Sequence, residues 1–175
     1  METLAKFENL RVAFNTKDGK VEAIEEVSFE LLAGKTTCVV GESGAGKSVS
    51  SLSMMRLVEF GGGVIEEGKL LFRTRDDELV DLAKSNKKII KKMRGNEIGM
   101  IFQEPMTALN PVFSIERQLT EGLRVHKKMS KAMARKEALD LMRLVRIPEP
   151  ERRLGQFPHE LSGGMRQRVV IAMAL

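Results

Sequence analysis

The chain has 175 residues, of which 42% are hydrophobic and 30% charged, with a net charge of +5. It is long enough to bury a core, and its composition is that of one ordinary soluble domain. No apolar run reaches the roughly 18 residues that span a bilayer, and the first ten residues lack the layout of a secretory signal. We therefore exclude membrane-spanning and secreted classes and expect a cytosolic chain.

Alternating apolar residues predict two strands near the amino terminus, joined by the turn KDGK. The alternating positions are Leu10, Val12 and Phe14 in the first strand and Val27, Phe29 and Leu31 in the second. The next apolar run, Thr36 to Val40, is short and β-branched, which predicts a strand buried on both faces. We expect Cys38, the only cysteine, to be buried within it, and a single cysteine excludes an intrachain disulfide.

The segment GESGAGKS, residues 41 to 48, follows that predicted strand and opens a predicted helix. It fits the phosphate-loop pattern G-x-x-x-x-G-K-[ST], in which backbone N–H groups and the positive helix end face a phosphate. In this pattern Lys47 reaches the β and γ phosphates and the Ser48 hydroxyl can ligate Mg²⁺. The candidate nucleotide-binding residues are Gly41, Glu42, Ser43, Gly44, Ala45, Gly46, Lys47, Ser48 and Val49. The competing interpretation is a glycine-rich turn with an incidental lysine.

Four elements, two helices and two strands, are predicted from the end of the phosphate loop to Gln103. The helix that begins at Lys47 has apolar positions at helical spacing and is stopped by the glycines at 61 to 63. GKLLFR predicts a strand, and EIGMIFQ predicts another buried strand that ends at Gln103. Between them, KSNKKIIKKMR predicts a short helix closed by Gly95, with Ile89, Ile90 and Met93 on its inner side.

The lysines of KSNKKIIKKMR allow two interpretations. A basic helix face can contact phosphate backbones or acidic lipid headgroups. Such charge runs are also common on solvated helix faces, and no aromatic residues interleave this one. The sequence favours the solvated face.

Helices dominate the second half of the chain. One is predicted from Ser114 to His126, and a second is capped by Ser130 with Ala134, Ala138, Leu141 and Val145 on one face. After a proline-rich turn, LSGGMRQR begins a helix with Ser162 as its N-cap, and the apolar run from Val169 to Leu175 predicts burial on all sides. This order predicts an α/β core with a helical subdomain inserted after Gln103.

LSGGMRQR resembles the signature motif of ABC-type ATPases, and GESGAGKS, the Gln103 of IFQEP and LSGGMRQR lie in the order of that family. The versions IFQEPMTALNPVF and FPHELSGGMRQRVVIAMAL look most like the di- and oligopeptide import branch, in particular the first ABC half of glutathione import ATP-binding proteins. The resemblance implies an α/β P-loop NTPase of ABC type. Its expected parts are an antiparallel β subdomain with the P-loop core (1–103), an inserted helical subdomain (104–161) and the signature helix (162–175).

The resemblance also implies ATP and Mg²⁺ as cofactors and a role for each candidate residue. Gln103 would ligate Mg²⁺ and the attacking water, and Phe14 would stack on adenine, although core packing is an equal alternative for an aromatic residue. Ser162, Gly163 and Gly164 begin a helix and form a second anion site, which would contact the γ-phosphate held by a paired cassette. The implied partners are two permease subunits, that second cassette and, indirectly, a periplasmic binding protein, on the cytoplasmic face of the membrane. No nucleic acid is expected.

The last residue, Leu175, lies within the predicted signature helix. An ATPase of this kind also uses an acidic pair at the end of a further strand, for the metal and for polarising water. We expect the C-terminal strands of the core to be missing and the 175 residues alone not to hydrolyse ATP at a rate typical of the family. The alternatives are a remnant that binds ATP or a permease without turnover and, less favoured, a nucleic-acid-handling ABC ATPase. Neither His126 nor His159 has neighbours at metal-ligand spacing.

Overall fold

A computed structural model describes residues 2–102 and 105–175 of the chain. The chain divides into two compact units, Met1–Glu97 and Ile98–Leu175. We call them the sheet unit and the helical unit and describe each by itself. Within the described residues, every helix is too short or too polar to cross a membrane.

The sheet unit contains four antiparallel strands in the order β2-β1-β3-β4. They are β1 (Thr3–Thr16), β2 (Gly19–Leu32), β3 (Gly63–Arg73) and β4 (Leu79–Asp81). The predicted hairpin and the predicted strand at GKLLFR are confirmed. Phe7, Leu10 and Val12 of β1 are at most 1% exposed, and the register of β1 with β2 shifts between Phe7 and Leu10, so strict alternation is broken there. Phe7 also stacks on Phe29 of β2, with ring centroids 4.1 Å apart.

Two helices complete the sheet unit: α1 (Lys47–Met54) and α2 (Lys87–Met93). The predicted helix over residues 47 to 60 is interrupted, because Arg56 adopts a left-handed conformation and a separate 3-10 turn follows at Leu57–Gly61. The Arg56 guanidinium bonds the Ser85 carbonyl and the Glu59 carboxylate, and these contacts hold it in place at the break. Helix α2 forms where predicted, with the Asn86 side chain accepting hydrogen bonds from the N–H groups of Lys88 and Ile89. Ile90 and Met93 are buried as predicted, but Ile89, which we expected on the inner side, is exposed.

The two predicted buried strands, Thr36 to Val40 and Glu97 to Gln103, are wrong for the described residues. Neither segment belongs to the sheet, and Val40 is 83% exposed. Cys38, which we expected to be buried, is exposed as well. A strand buried on both faces needs a hydrogen-bonded neighbour on each side. The described sheet is antiparallel throughout and supplies none to these segments, so their apolar residues remain in irregular, solvent-exposed chain.

The helical unit contains five α-helices among its described residues and one 3-10 turn, Pro158–Glu160. The helices are α3 (Pro105–Ala108), α4 (Ile115–His126), α5 (Lys131–Leu144), α6 (Pro150–Leu154) and α7 (Gly163–Ala174). Serine begins three of them: the hydroxyls of Ser114, Ser130 and Ser162 each accept a hydrogen bond from the N–H three residues later. These caps confirm the predicted starts of α4, α5 and α7.

The core of the helical unit forms where α4, α5, α6 and α7 meet. Its buried members are Leu109, Ile115, Leu119, Ala138, Met142, Ile147, Leu154, Leu161, Val169, Val170 and Ala172. The prediction that α7 is buried on all sides is wrong, because Met173 is 44% exposed and Leu175 is 66% exposed. Helix α7 packs against α3, α4 and α5, and these contacts leave Met173 and Leu175 exposed.

Candidate functional site

The phosphate loop, residues 41 to 48, runs directly into α1. Gly46 is the N-cap of α1 with φ 79° and ψ 1°, and no side chain caps the helix. The N–H groups of the first helical turn therefore have no partner within the helix, and they carry the positive end of its dipole. An uncapped helix start of this kind binds anions.

Gly46 also fixes where the loop sits in the sheet unit. A Cβ placed on Gly46 would lie 2.9 Å from the backbone oxygen of Ala23 and 3.1 Å from Cγ1 of Ile24. The loop thus rests against β2, where only a residue without a side chain fits. The sequence pattern identified Gly46, but it gave no sign that Ala23 and Ile24 support the loop, because that contact joins segments more than 20 residues apart.

Lys47 closes the loop on itself. Its ammonium donates hydrogen bonds to the carbonyl oxygens of Gly41 at 2.7 Å and Glu42 at 2.6 Å. An ammonium has three N–H donors, so one is not used by these two bonds. Among the described residues, no carboxylate forms an ion pair with Lys47. The positive charge therefore stays at the loop without an acidic side chain to neutralise it.

The remaining loop residues leave the helix start open to solvent. The exposed members are Gly41, Glu42, Ser43, Gly44, Ala45 and Ser48, whereas Val49 is half-buried. The Ser50 hydroxyl bonds the Gly46 carbonyl at 3.0 Å and so holds the loop's last turn. The uncapped N–H groups, the Lys47 ammonium and the exposed Ser48 hydroxyl fit a triphosphate and its Mg²⁺ ion.

Phe14 lies near the end of β1 in the same unit. It pairs with Val21 of β2 and Gly63 of β3, and its ring occupies the space beside Gly63, with Cε1 2.8 Å from where a Cβ would be. The side chain is half-buried. The contact shows that Phe14 packs within the sheet unit while part of its surface stays open, so it agrees with both interpretations of this residue.

The signature residues Ser162, Gly163 and Gly164 are exposed at the start of α7, in the helical unit. The Ser162 hydroxyl accepts from the Met165 N–H at 3.4 Å, and a Cβ on Gly164 would meet nothing within 4 Å. The chain therefore presents two exposed glycine-containing helix starts, one in each unit.

Gln103 and the histidines are the remaining residues considered as metal ligands from the sequence. Gln103, the predicted ligand of Mg²⁺ and water, lies outside the described residues. Within residues 2–102 and 105–175, no group of three or more His, Cys, Asp or Glu side chains is placed to hold a metal ion. His159 instead stacks on Phe157, with ring centroids 5.8 Å apart.

Known proteins with similar sequences are import ATP-binding proteins. The chain is 50% identical over 167 residues to the glutathione import ATP-binding protein GsiA of Pectobacterium atrosepticum. This alignment covers 95% of this chain and 27% of that protein. It is 51% identical to the oligopeptide transport ATP-binding protein OppD of Bacillus subtilis, covering 98% of this chain and 47% of the relative. The dipeptide transport ATP-binding protein DppD of Bacillus subtilis is 50% identical, with 100% of this chain and 51% of the relative covered. The chain thus spans between a quarter and a half of these relatives.

Solved structures with a similar fold are ABC cassettes. A dimeric ATP-binding cassette in a post-hydrolysis state, bound to ADP and Pi, superposes with a TM-score of 0.81 at 25% identity, covering 98% of this chain and 68% of that one. A dimeric bacterial ABC transporter cassette gives a TM-score of 0.78 over the same fractions. The fold is therefore the α/β P-loop fold of ABC type. The family model described as ABC transporter matches residues 24–175, and the chain belongs to the ABC transporter family.

Proposed function

We propose that this chain is the ATP-binding component of an ABC importer for peptides or glutathione, and that it binds ATP with Mg²⁺ at residues 41 to 48. The observation that carries the proposal is the uncapped start of α1 at Gly46, beside an ammonium with no carboxylate partner among the described residues. The names of the relatives support the transported class.

Each candidate residue has a proposed role in nucleotide binding. The first-turn N–H groups and Lys47 hold the phosphates, and the Ser48 hydroxyl ligates the metal. Phe14 contacts the adenine, and Gln103 completes the metal site. Bound Mg²⁺ supplies charge neutralisation on the phosphates. The third N–H of the Lys47 ammonium, which the Gly41 and Glu42 carbonyls do not use, is available to a phosphate oxygen.

The proposed partners follow from the second helix start. Ser162, Gly163 and Gly164 contact the nucleotide held by a second cassette, because one triphosphate does not need two anion sites from one chain. We place this pair of cassettes on the cytoplasmic face of the membrane, against two permease subunits that receive substrate from a periplasmic binding protein. Within the chain, we retain the division into 1–103, 104–161 and 162–175 as the functional parts.

ATP binding and hydrolysis measured side by side on the 175-residue chain test the proposal. We expect saturable, Mg²⁺-dependent ATP binding that Lys47→Ala abolishes, since that change removes the ammonium at the phosphate site. Lys17→Ala, at an exposed lysine in the β1–β2 turn, is the matched control and should bind as the unaltered chain does. An unchanged affinity of Lys47→Ala for ATP would contradict the proposal that residues 41 to 48 bind ATP.

Measuring hydrolysis distinguishes an active ATPase component from one that binds ATP without turnover. We expect the 175 residues to bind ATP but not to hydrolyse it at a rate typical of the family. Turnover that is lost in Lys47→Ala would show instead that these residues suffice for catalysis.

A further inference from the structure

Helix α2 has one face that consists only of lysine. Its members Lys87, Lys88, Lys91 and Lys92 are all exposed, and we call them the basic face; Lys84, which precedes the helix, is exposed as well. At about 100° per residue, the four helical lysines lie within an arc of about 140°. Ile90 at 4% exposure and Met93 at 5% lie on the opposite side and attach the helix to the sheet unit.

None of these lysines forms an ion pair with a described carboxylate. By contrast, lysines on the sheet such as Lys6 and Lys20 each contact two glutamates. The spacing Lys87–Lys91 and Lys88–Lys92 places like charges at i,i+4, which destabilises a helix. Lys91 and Lys92 lie in the last turn, where the helix dipole favours positive charge, whereas Lys87 and Lys88 lie in the first turn, where it does not. Lys87 and Lys88 therefore oppose the stability of their own helix.

Two exposed apolar side chains belong to the same part of the sheet unit. Ile89, next to the lysine arc on α2, is 38% exposed. Phe60 is 79% exposed, and its ring centroid lies 5.2 Å from the guanidinium carbon of Arg94, the residue after α2. Arg94 is held there by hydrogen bonds to the carbonyls of Met55 at 2.7 Å and Arg56 at 3.2 Å.

We propose that the basic face of α2 docks on a membrane surface rich in anionic phospholipid. Lysine heads pair with phosphate-bearing headgroups while their stems and the exposed Ile89 side chain contact the less polar layer beneath. A nucleic acid fits this surface less well, because no aromatic side chain of α2 lies among the lysines to stack on a base. The proposal goes beyond the proposed function, since nothing in it depends on ATP.

Vesicle co-sedimentation of the 175-residue chain tests this surface. We expect binding to phosphatidylcholine vesicles that contain phosphatidylglycerol and none to phosphatidylcholine alone. Binding should weaken strongly between about 0.1 M and about 1 M salt, as the Debye length falls from roughly 10 Å to 3 Å.

The decisive variant carries Lys87→Gln, Lys88→Gln, Lys91→Gln and Lys92→Gln, because glutamine keeps helix propensity and removes charge. A basic residue near an anionic surface contributes a factor of about five to binding, so four should contribute at least about 100-fold. The matched control carries the same change at four exposed lysines of the helical unit, Lys127, Lys128, Lys131 and Lys136. It should lose less than about 5-fold, the factor that one lysine contributes.

Three results would overturn the proposal: no binding to anionic vesicles, equal losses in the two quadruple variants, or tighter binding of a DNA duplex than of vesicles through the same four lysines. Circular dichroism of both variants establishes that each is folded, and ATP binding is recorded as a separate measurement. Because ATP binding is measured separately, failure of membrane docking leaves the nucleotide proposal standing, and the reverse also holds.

Discussion

Replacing Gly46 by alanine is expected to destabilise the start of α1 more than the same change at Gly44. Both glycines have positive φ, 79° and 88°, so both substitutions place a Cβ in the left-handed region, which costs about 1–2 kcal/mol. Part of this cost is offset, because alanine reduces the entropy of the unfolded chain by about 0.4–1 kcal/mol. At Gly44 the net cost is therefore about 1 kcal/mol, since nothing lies within 4 Å of the new Cβ.

At Gly46 a steric term is added. The new Cβ would lie 2.9 Å from the Ala23 oxygen, a backbone atom of a paired strand that has little freedom to move. Overpacking of this kind typically costs about 1–3 kcal/mol, so we expect about 2–4 kcal/mol in total. The difference between the two variants, about 1–3 kcal/mol, corresponds to about 5- to 150-fold in ATP affinity if the loop must hold this conformation to bind.

Two measurements check the comparison. The chain has no tryptophan or tyrosine, so urea unfolding is followed by far-ultraviolet circular dichroism, and ATP affinity is obtained by calorimetry. Gly62→Ala, at φ 79° with open space around it and outside the phosphate loop, is the control for backbone strain alone. Equal losses in Gly46→Ala and Gly44→Ala, within about 0.5 kcal/mol, would refute the argument that β2 supports the loop.

Two further predictions concern stability. Met142 is 0% exposed in the helical core, so Met142→Ala should lower the free energy of unfolding, measured in urea, by about 2–5 kcal/mol. Met133 on the same helix is 61% exposed, and Met133→Ala should change that free energy by less than about 0.5 kcal/mol. Similar values for the two variants would contradict the packing of α5. In the sheet unit, the hydrogen bond from Lys6 holds the pKa of Glu8 below the ordinary value of a carboxyl. The ionised Glu8 carboxylate therefore stabilises the folded chain above about pH 4, and this contribution is lost as the pH falls below that value. Between pH 7 and pH 3, the free energy of unfolding should fall more for the wild type than for Glu8→Gln. An equal loss in both would show that this pair does not contribute.

The sequence predicted well those elements whose signals are local. A serine followed by a helical repeat identified the starts of α4, α5 and α7, because a cap depends on residues three positions apart. Alternation of apolar residues identified β1 and β2, since the alternating positions of both strands are buried or half-buried. The phosphate loop was found in the same way, as a pattern within eight residues.

The sequence failed where an element depends on distant partners. The run from Thr36 to Val40 has the composition of a buried strand, yet it lies exposed, because burial requires neighbouring strands that the described sheet does not supply. Likewise, no local pattern could show that the helix is interrupted at Arg56, because the Arg56 guanidinium is bound by the Ser85 carbonyl, 29 residues away.

The sequence by itself determined that this chain has a phosphate loop, a signature helix and the order of an ABC cassette, because each is written in a few adjacent residues. The tertiary structure decided how those residues are held: Gly46 against β2, Lys47 on the Gly41 and Glu42 carbonyls, and the lysines of α2 on one unpaired face. Each of these depends on contacts and on exposure in three dimensions, which spacing along the chain does not specify.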